Sequence, residues 1–101
     1  MFTVTNNTLD ANYTCLQAEV SLPARATFDL LGEPLEGDGH KVSAEWILQD
    51  ESGHVVTLYD WKAVPDALSQ QESDEPFTFH IGGHDSMTAS NFKDWLVKNL
   101  K

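Results

Sequence analysis

Cys15 is the only cysteine in a chain of 101 residues. A single thiol excludes an intramolecular disulfide and any zinc site built from several thiolates, and it suits a reducing compartment better than secretion. A cytoplasmic location is expected. Basic side chains are scarce as well: six Lys and Arg stand against 16 Asp and Glu, a formal net charge of −10. A field of that sign repels phosphate backbones and anionic bilayers, so direct contact with nucleic acid or a membrane is not expected. Long apolar runs are also missing. No stretch approaches the roughly 20 residues of a membrane-spanning helix. Residues 1–7 have neither the basic start nor the apolar run of a signal peptide, so neither a leader nor an anchor is expected.

Apolar surface for a core is present. Hydrophobic residues make up 41% of the chain and aromatics 10%, with tryptophans at 46, 61 and 95. That is enough to fold one domain over residues 1–101, and the length is too short for two. Leu16, Ala18, Val20 and Leu22 alternate with polar neighbours, the period of a half-buried strand. Pro23 fits the first position of a helix, where no N–H is needed. Ala24, Phe28 and Leu31 then recur at helical spacing until Gly32 and Pro34 stop it. Val42, Ala44, Trp46 and Leu48 form a second alternating run. Residues 50–53 read as a hairpin turn, with Gly53 suited to a positive φ, and residues 55–59 return as a third strand.

Residues 63–76 turn polar and acidic, and residues 69–75 contain no apolar side chain. A long mobile acidic loop is expected there. Phe77, Phe79 and Ile81 mark a fourth strand, Gly82 and Gly83 a sharp turn. Phe92, Trp95, Leu96 and Leu100 mark a last helix, with Asp85, Ser86 and Thr88 as candidate caps and Lys93, Lys98 and Lys101 toward its negative end. The order β-α-β-β-β-α predicts an α+β fold: a two-layer sandwich, mainly an antiparallel sheet of about four strands with two helices on one face. Its open edges are candidates for strand addition.

Catalytic signatures are weak. There is no Gly-x-Ser-x-Gly elbow, Cys15 has no adjacent base, and the pairs Asp50-Glu51 and Asp74-Glu75 lie in solvated turns. Gly82-Gly83 lacks the rest of a phosphate-binding pattern, and a structural turn is the better reading. His80, His84 and Asp85 would need a fourth donor, such as His40, His54 or Asp60, to hold a metal, and nothing in the sequence fixes one. No metal, cofactor or catalytic residue is assigned, and an enzyme is not expected. Trp46 and Trp95 fall on inward faces. Tyr59 and Trp61 compete with Val56 and Leu58 for the inside of the third strand. If they point outward beside Asp60, they make an aromatic anchor rimmed with charge, the composition of a protein-binding hot spot.

Four runs resemble a family of small bacteriophage proteins without an assigned activity. They are FDLLGEP at residues 28–34, GDGHKVSAEW at 37–46, GHVVTLYDWK at 53–62 and HIGG at 80–83. The motifs Gly32-Glu33-Pro34, Ala44-Glu45-Trp46 and His80-Ile81-Gly82-Gly83 carry most of the likeness, which covers the chain from about Leu16 onward. The resemblance implies a phage origin, host cytoplasm as the place of action, and a compact domain, and it brings no catalytic residues. Residues 69–75 depart from the family pattern. The expected function is a small acidic protein that binds and modulates or inhibits a host protein with a basic surface. Counter-defence, including anti-CRISPR action or nucleic-acid mimicry, is one form of it. Tyr59, Asp60, Trp61, Glu36, Asp38, Glu72, Asp74 and Glu75 are the expected contact residues. The alternative is a self-associating structural or accessory phage protein, a homodimer without a host target, whose charge only keeps it soluble.

Overall fold

The computed structural model describes residues 1–9, 14–37 and 41–100. Six strands, β1 (Phe2–Val4), β2 (Cys15–Pro23), β3 (Leu35–Glu36), β4 (Ala44–Asp50), β5 (Val55–Tyr59) and β6 (Pro76–Gly83), form one sheet. All pairings are antiparallel, in the order β1-β4-β5-β6-β2, with β3 also paired to β4. Helices α1 (Ala24–Leu31) and α2 (Ser86–Asn99) complete the chain. The α+β class is as the sequence indicates, and the sheet is larger than the four expected strands. The two additional strands are three and two residues long, too short to show alternation. Both use the outer edge of β4, whose backbone groups would otherwise lack partners. Past β1, the amides of Thr5 and Asn6 donate to the Ile47 carbonyl, and the Asn6 side-chain oxygen accepts from the Ile47 amide.

Alternate residues of the central strands meet the helices. Val20, Leu22, Trp46, Leu48, Val56, Leu58, Phe79 and Ile81 pack with Ala24, Leu31, Ala89, Phe92 and Leu96 in one cluster. Trp46 lies at its centre, fully buried, with Phe28 at 4.9 Å and Phe79 at 6.1 Å in edge-to-face contact. Its indole N–H donates to the Gly32 carbonyl at 2.9 Å, which fixes the C-terminal end of α1 over the sheet. Trp95 is only half-buried, at the cluster's margin against Phe2 and Phe92.

Three local expectations change. Leu16 is 53% exposed, because a bulge between Leu16 and Ala18 inserts a residue opposite β6 and reverses the side-chain parity. Pro23 stands one place earlier than expected, as the N-cap of α1. Gly82 and Gly83 form no turn and instead end β6. A Cβ at Gly82 would lie 2.5 Å from the Thr57 hydroxyl on the neighbouring strand, so the glycine serves a close cross-strand approach. The expected Asp50–Gly53 turn is present: Gly53 has φ 87°, and the Asp50 carboxylate accepts from the amides of Ser52 and His54.

Candidate docking site

At the end of β5, Tyr59 and Trp61 meet each other outside the helix-facing cluster, whereas Leu58 belongs to that cluster and Asp60 is buried. Asp60 is therefore not the rim of an aromatic anchor. It is 1% exposed, and its carboxylate accepts from the Ser43 amide at 2.8 Å, the Ala44 amide at 3.2 Å, the Ala67 amide at 2.9 Å and the Ser43 hydroxyl. Burial pushes its pKa up, but these hydrogen bonds outweigh burial and hold it below the usual aspartate value.

Trp61 is 42% exposed, and its ring carries Lys41 and Lys62, each 5.7 Å from the centroid. The charge around the aromatic pair is thus basic at the Trp61 end, contrary to expectation. Tyr59 meets Trp61 edge-on at 6.5 Å and His80 at 5.7 Å. The register sets Glu45, Tyr59, His80 and Glu19 in one row across β4, β5, β6 and β2. Burial raises the pKa of Tyr59, and the carboxylate of Glu45 adds to the rise. Burial raises that of Glu45 itself. His80 approaches Glu19 at 3.9 Å. The parity of Glu19, Glu45 and His80, opposite to that of the core residues, is the sequence signal that could have revealed this row.

His80, His84 and Asp85 do not assemble a metal site. Asp85 caps α2 by accepting from the Thr88 amide at 2.9 Å. Among the described residues no group of three or more His, Cys, Asp and Glu side chains is placed to hold a metal ion. His40 and Asp38, both considered from the sequence, lie outside the described residues.

Residues 63–76, expected as a mobile loop, hold a 3-10 turn at Leu68–Gln70 and are fastened at two points. Ala67 is buried and its amide binds Asp60. Further along, the Arg25 guanidinium donates to the Glu72 carbonyl at 2.7 and 3.0 Å and lies 3.5 Å from the Asp74 carboxylate, while the Arg25 amide donates to the Ser73 carbonyl. Both anchors lie outside the segment, so its own composition gives no hint of them.

The fastened segment faces the C-terminal end of α1 across a pocket of about 420 Å³. Phe28, Pro34, Leu35 and Leu68 give it apolar walls, and Glu33, Glu36 and Gln71 give it polar ones. Glu72 follows Gln71 directly, and Asp74 and Glu75 continue the segment. All five carboxylate residues, Glu33, Glu36, Glu72, Asp74 and Glu75, are exposed. Of the expected contact residues, Glu36 lines the pocket and Glu72 follows a lining residue directly, Asp74 lies by Arg25 in the first turn of α1, at the other end of the helix, and Tyr59 and Trp61 belong to the sheet face away from the helices. Phe28, Leu35 and Leu68 were missed as pocket walls. Leu68, the apolar residue directly before the polar run 69–75, was the available clue.

Exposed carboxylates around an apolar hollow can attract and seat a cationic group. No helix among the described residues is long and apolar enough to cross a membrane. Comparison of the chain with protein-family models and with curated proteins gives no match.

Proposed function

We propose that this chain is a small acidic interaction protein of phage type, not an enzyme, which docks its acidic end on a basic surface of a host protein and modulates or blocks it. The observation that carries this reading is an apolar-walled pocket lined by the exposed residues Glu33 and Glu36 on a strongly acidic chain. Glu33 and Glu36 line the pocket, Glu72 follows its lining residue Gln71, and Asp74 lies by Arg25 at the other end of α1. Arg25 holds the backbone of residues 72 and 73, so that stretch loses less conformational entropy on binding than a free acidic tail would. A net charge of −10 speeds encounter with a basic site and disfavours acidic competitors. If that site is a nucleic-acid channel, the protein acts as a mimic, the form a counter-defence inhibitor would take.

The test is retention of a host protein by tagged chain at low and high salt, repeated with the variant E33Q/E36Q/E72Q/D74N/E75Q. The expected result is one specific partner, released at high salt and not retained by the variant. Retention indifferent to both changes would end the docking reading. The self-associating alternative rests on β2, whose outer edge pairs with no strand among the described residues and exposes Leu16. The bulge, Glu19 and Pro23 are devices that discourage edge pairing. A monomer by light scattering would remove that alternative.

A further inference from the structure

We propose that the pocket between α1 and residues 68–71 receives a single arginine side chain of the partner protein. This rests on the reading of the acidic end as the docking surface and names what that surface recognises.

Three separate features converge on this occupant. The first is the apolar wall. Phe28 and Leu35 are half-buried and Leu68 is 37% exposed, and a hollow of about 420 Å³ between them leaves room for a long side chain to lay its methylene stem on carbon. The second is charge. Glu33 and Glu36 line the same pocket, and neither carboxylate takes part in an ion pair among the described residues. The third is the end of α1 itself. The helix stops at Gly32, which lines the pocket, and its last turn carries no basic residue. The Trp46 indole N–H already takes the Gly32 carbonyl, and what remains of the partial negative charge at the helix C-terminus adds to the attraction of an outside cation.

Arginine fits better than lysine. Its planar fork can bond two carboxylates at once and lie against the Phe28 ring, and it sheds water more readily than a compact ammonium.

The experiment follows backbone amide shifts of Gly32, Leu35 and Leu68 by NMR at physiological salt, titrating acetyl-Gly-Arg-Gly-amide and acetyl-Gly-Lys-Gly-amide. The arginine peptide is expected to give saturable shifts at these three amides, and the lysine peptide to bind about tenfold more weakly. E33Q and E36Q should each weaken the arginine peptide roughly tenfold. The variant E72Q/D74N/E75Q, neutralised outside the pocket, should change it less than about threefold because salt screens those charges. Absence of saturable shifts, equal binding of the two peptides, or equal loss in E72Q/D74N/E75Q would overturn the pocket assignment. If the peptide fails to bind while the partner is still retained through residues 72–75, the pocket proposal falls and the docking reading stands. If the peptide binds while partner retention ignores every carboxylate, the docking reading falls and the pocket remains a guanidinium site.

Discussion

Replacing Asp60 by alanine tests how residues 61–67 are held. The carboxylate accepts four hydrogen bonds, from the Ser43 amide and hydroxyl and the amides of Ala44 and Ala67. The alanine variant strands all four donors in a site that is 1% exposed. Each orphaned donor costs roughly 1–3 kcal/mol when fully desolvated. Water entering the vacated space recovers part of this, leaving a net loss of about 3 kcal/mol. For a domain of this size that is a fall in melting temperature of about 15 °C. The pKa of Asp60 is held below the usual aspartate value. The stabilisation is therefore fully present above the unfolded-state pKa of about 3.9 and is lost as pH falls through the lower folded-state value. Urea unfolding followed by tryptophan fluorescence at pH 7, and again between about pH 4 and pH 2, reads both effects. The gap between the two proteins should be constant above about pH 5 and shrink steadily at acid pH. A gap below about 1 kcal/mol at pH 7 would refute the account of Asp60 as the pin of residues 61–67. A gap that persists unchanged at low pH would refute the role of its charge.

Gly82→Ala should destabilise by about 2 kcal/mol, since its new Cβ would meet the Thr57 hydroxyl at 2.5 Å. Adding Thr57→Ala should recover part of that in thermal melts, and no recovery would place the strain elsewhere. Arg25→Ala should cost less than about 1 kcal/mol, because its ion pair with Asp74 is exposed. It should nevertheless speed proteolysis within residues 70–76, and an unchanged cleavage rate would mean that Arg25 does not hold the segment. In a Tyr13→Phe background, ultraviolet titration should show Tyr59 ionising above the ordinary tyrosine value, and Glu45→Gln should bring it partway back. Because that pKa is raised on folding, its contribution to stability is present below about pH 10 and lost as pH rises through the folded-state value.

Local pattern made much of the scaffold legible. Trp46, Leu48, Phe79 and Ile81 announce the inward face by alternation, Gly32 ends α1 as expected, Gly53 takes the expected positive φ, 87°, and the candidate caps of α2 include Asp85, which performs that role. Where prediction failed, a partner distant in sequence had decided the outcome. Leu16 follows the alternation of Ala18, Val20 and Leu22, and only pairing with β6 introduces the bulge that turns it outward. Asp60 reads as a surface charge beside two aromatics, and only the approach of Ser43, Ala44 and Ala67 makes it a buried acceptor. The acidic segment reads as a loop and is one apart from the 3-10 turn at Leu68–Gln70, but its fastening is hidden because the groups that hold it, Asp60 and Arg25, lie outside it.

The sequence by itself determined the balance of charge, the α+β class and the inward face of the central strands, because these depend on composition and on side-chain periods of two and 3.6 residues. The tertiary structure alone decided that Glu33 and Glu36 share a pocket with Leu68 and Gln71, and that the lysines rather than Asp60 surround Trp61. Apart from Lys62, the chain neighbour of Trp61, those arrangements rest on contacts between segments distant in sequence, which no local period encodes. Buried donors and acceptors must find partners wherever the fold brings them, and here that requirement ties Ser43, Ala44 and Ala67 to the buried Asp60.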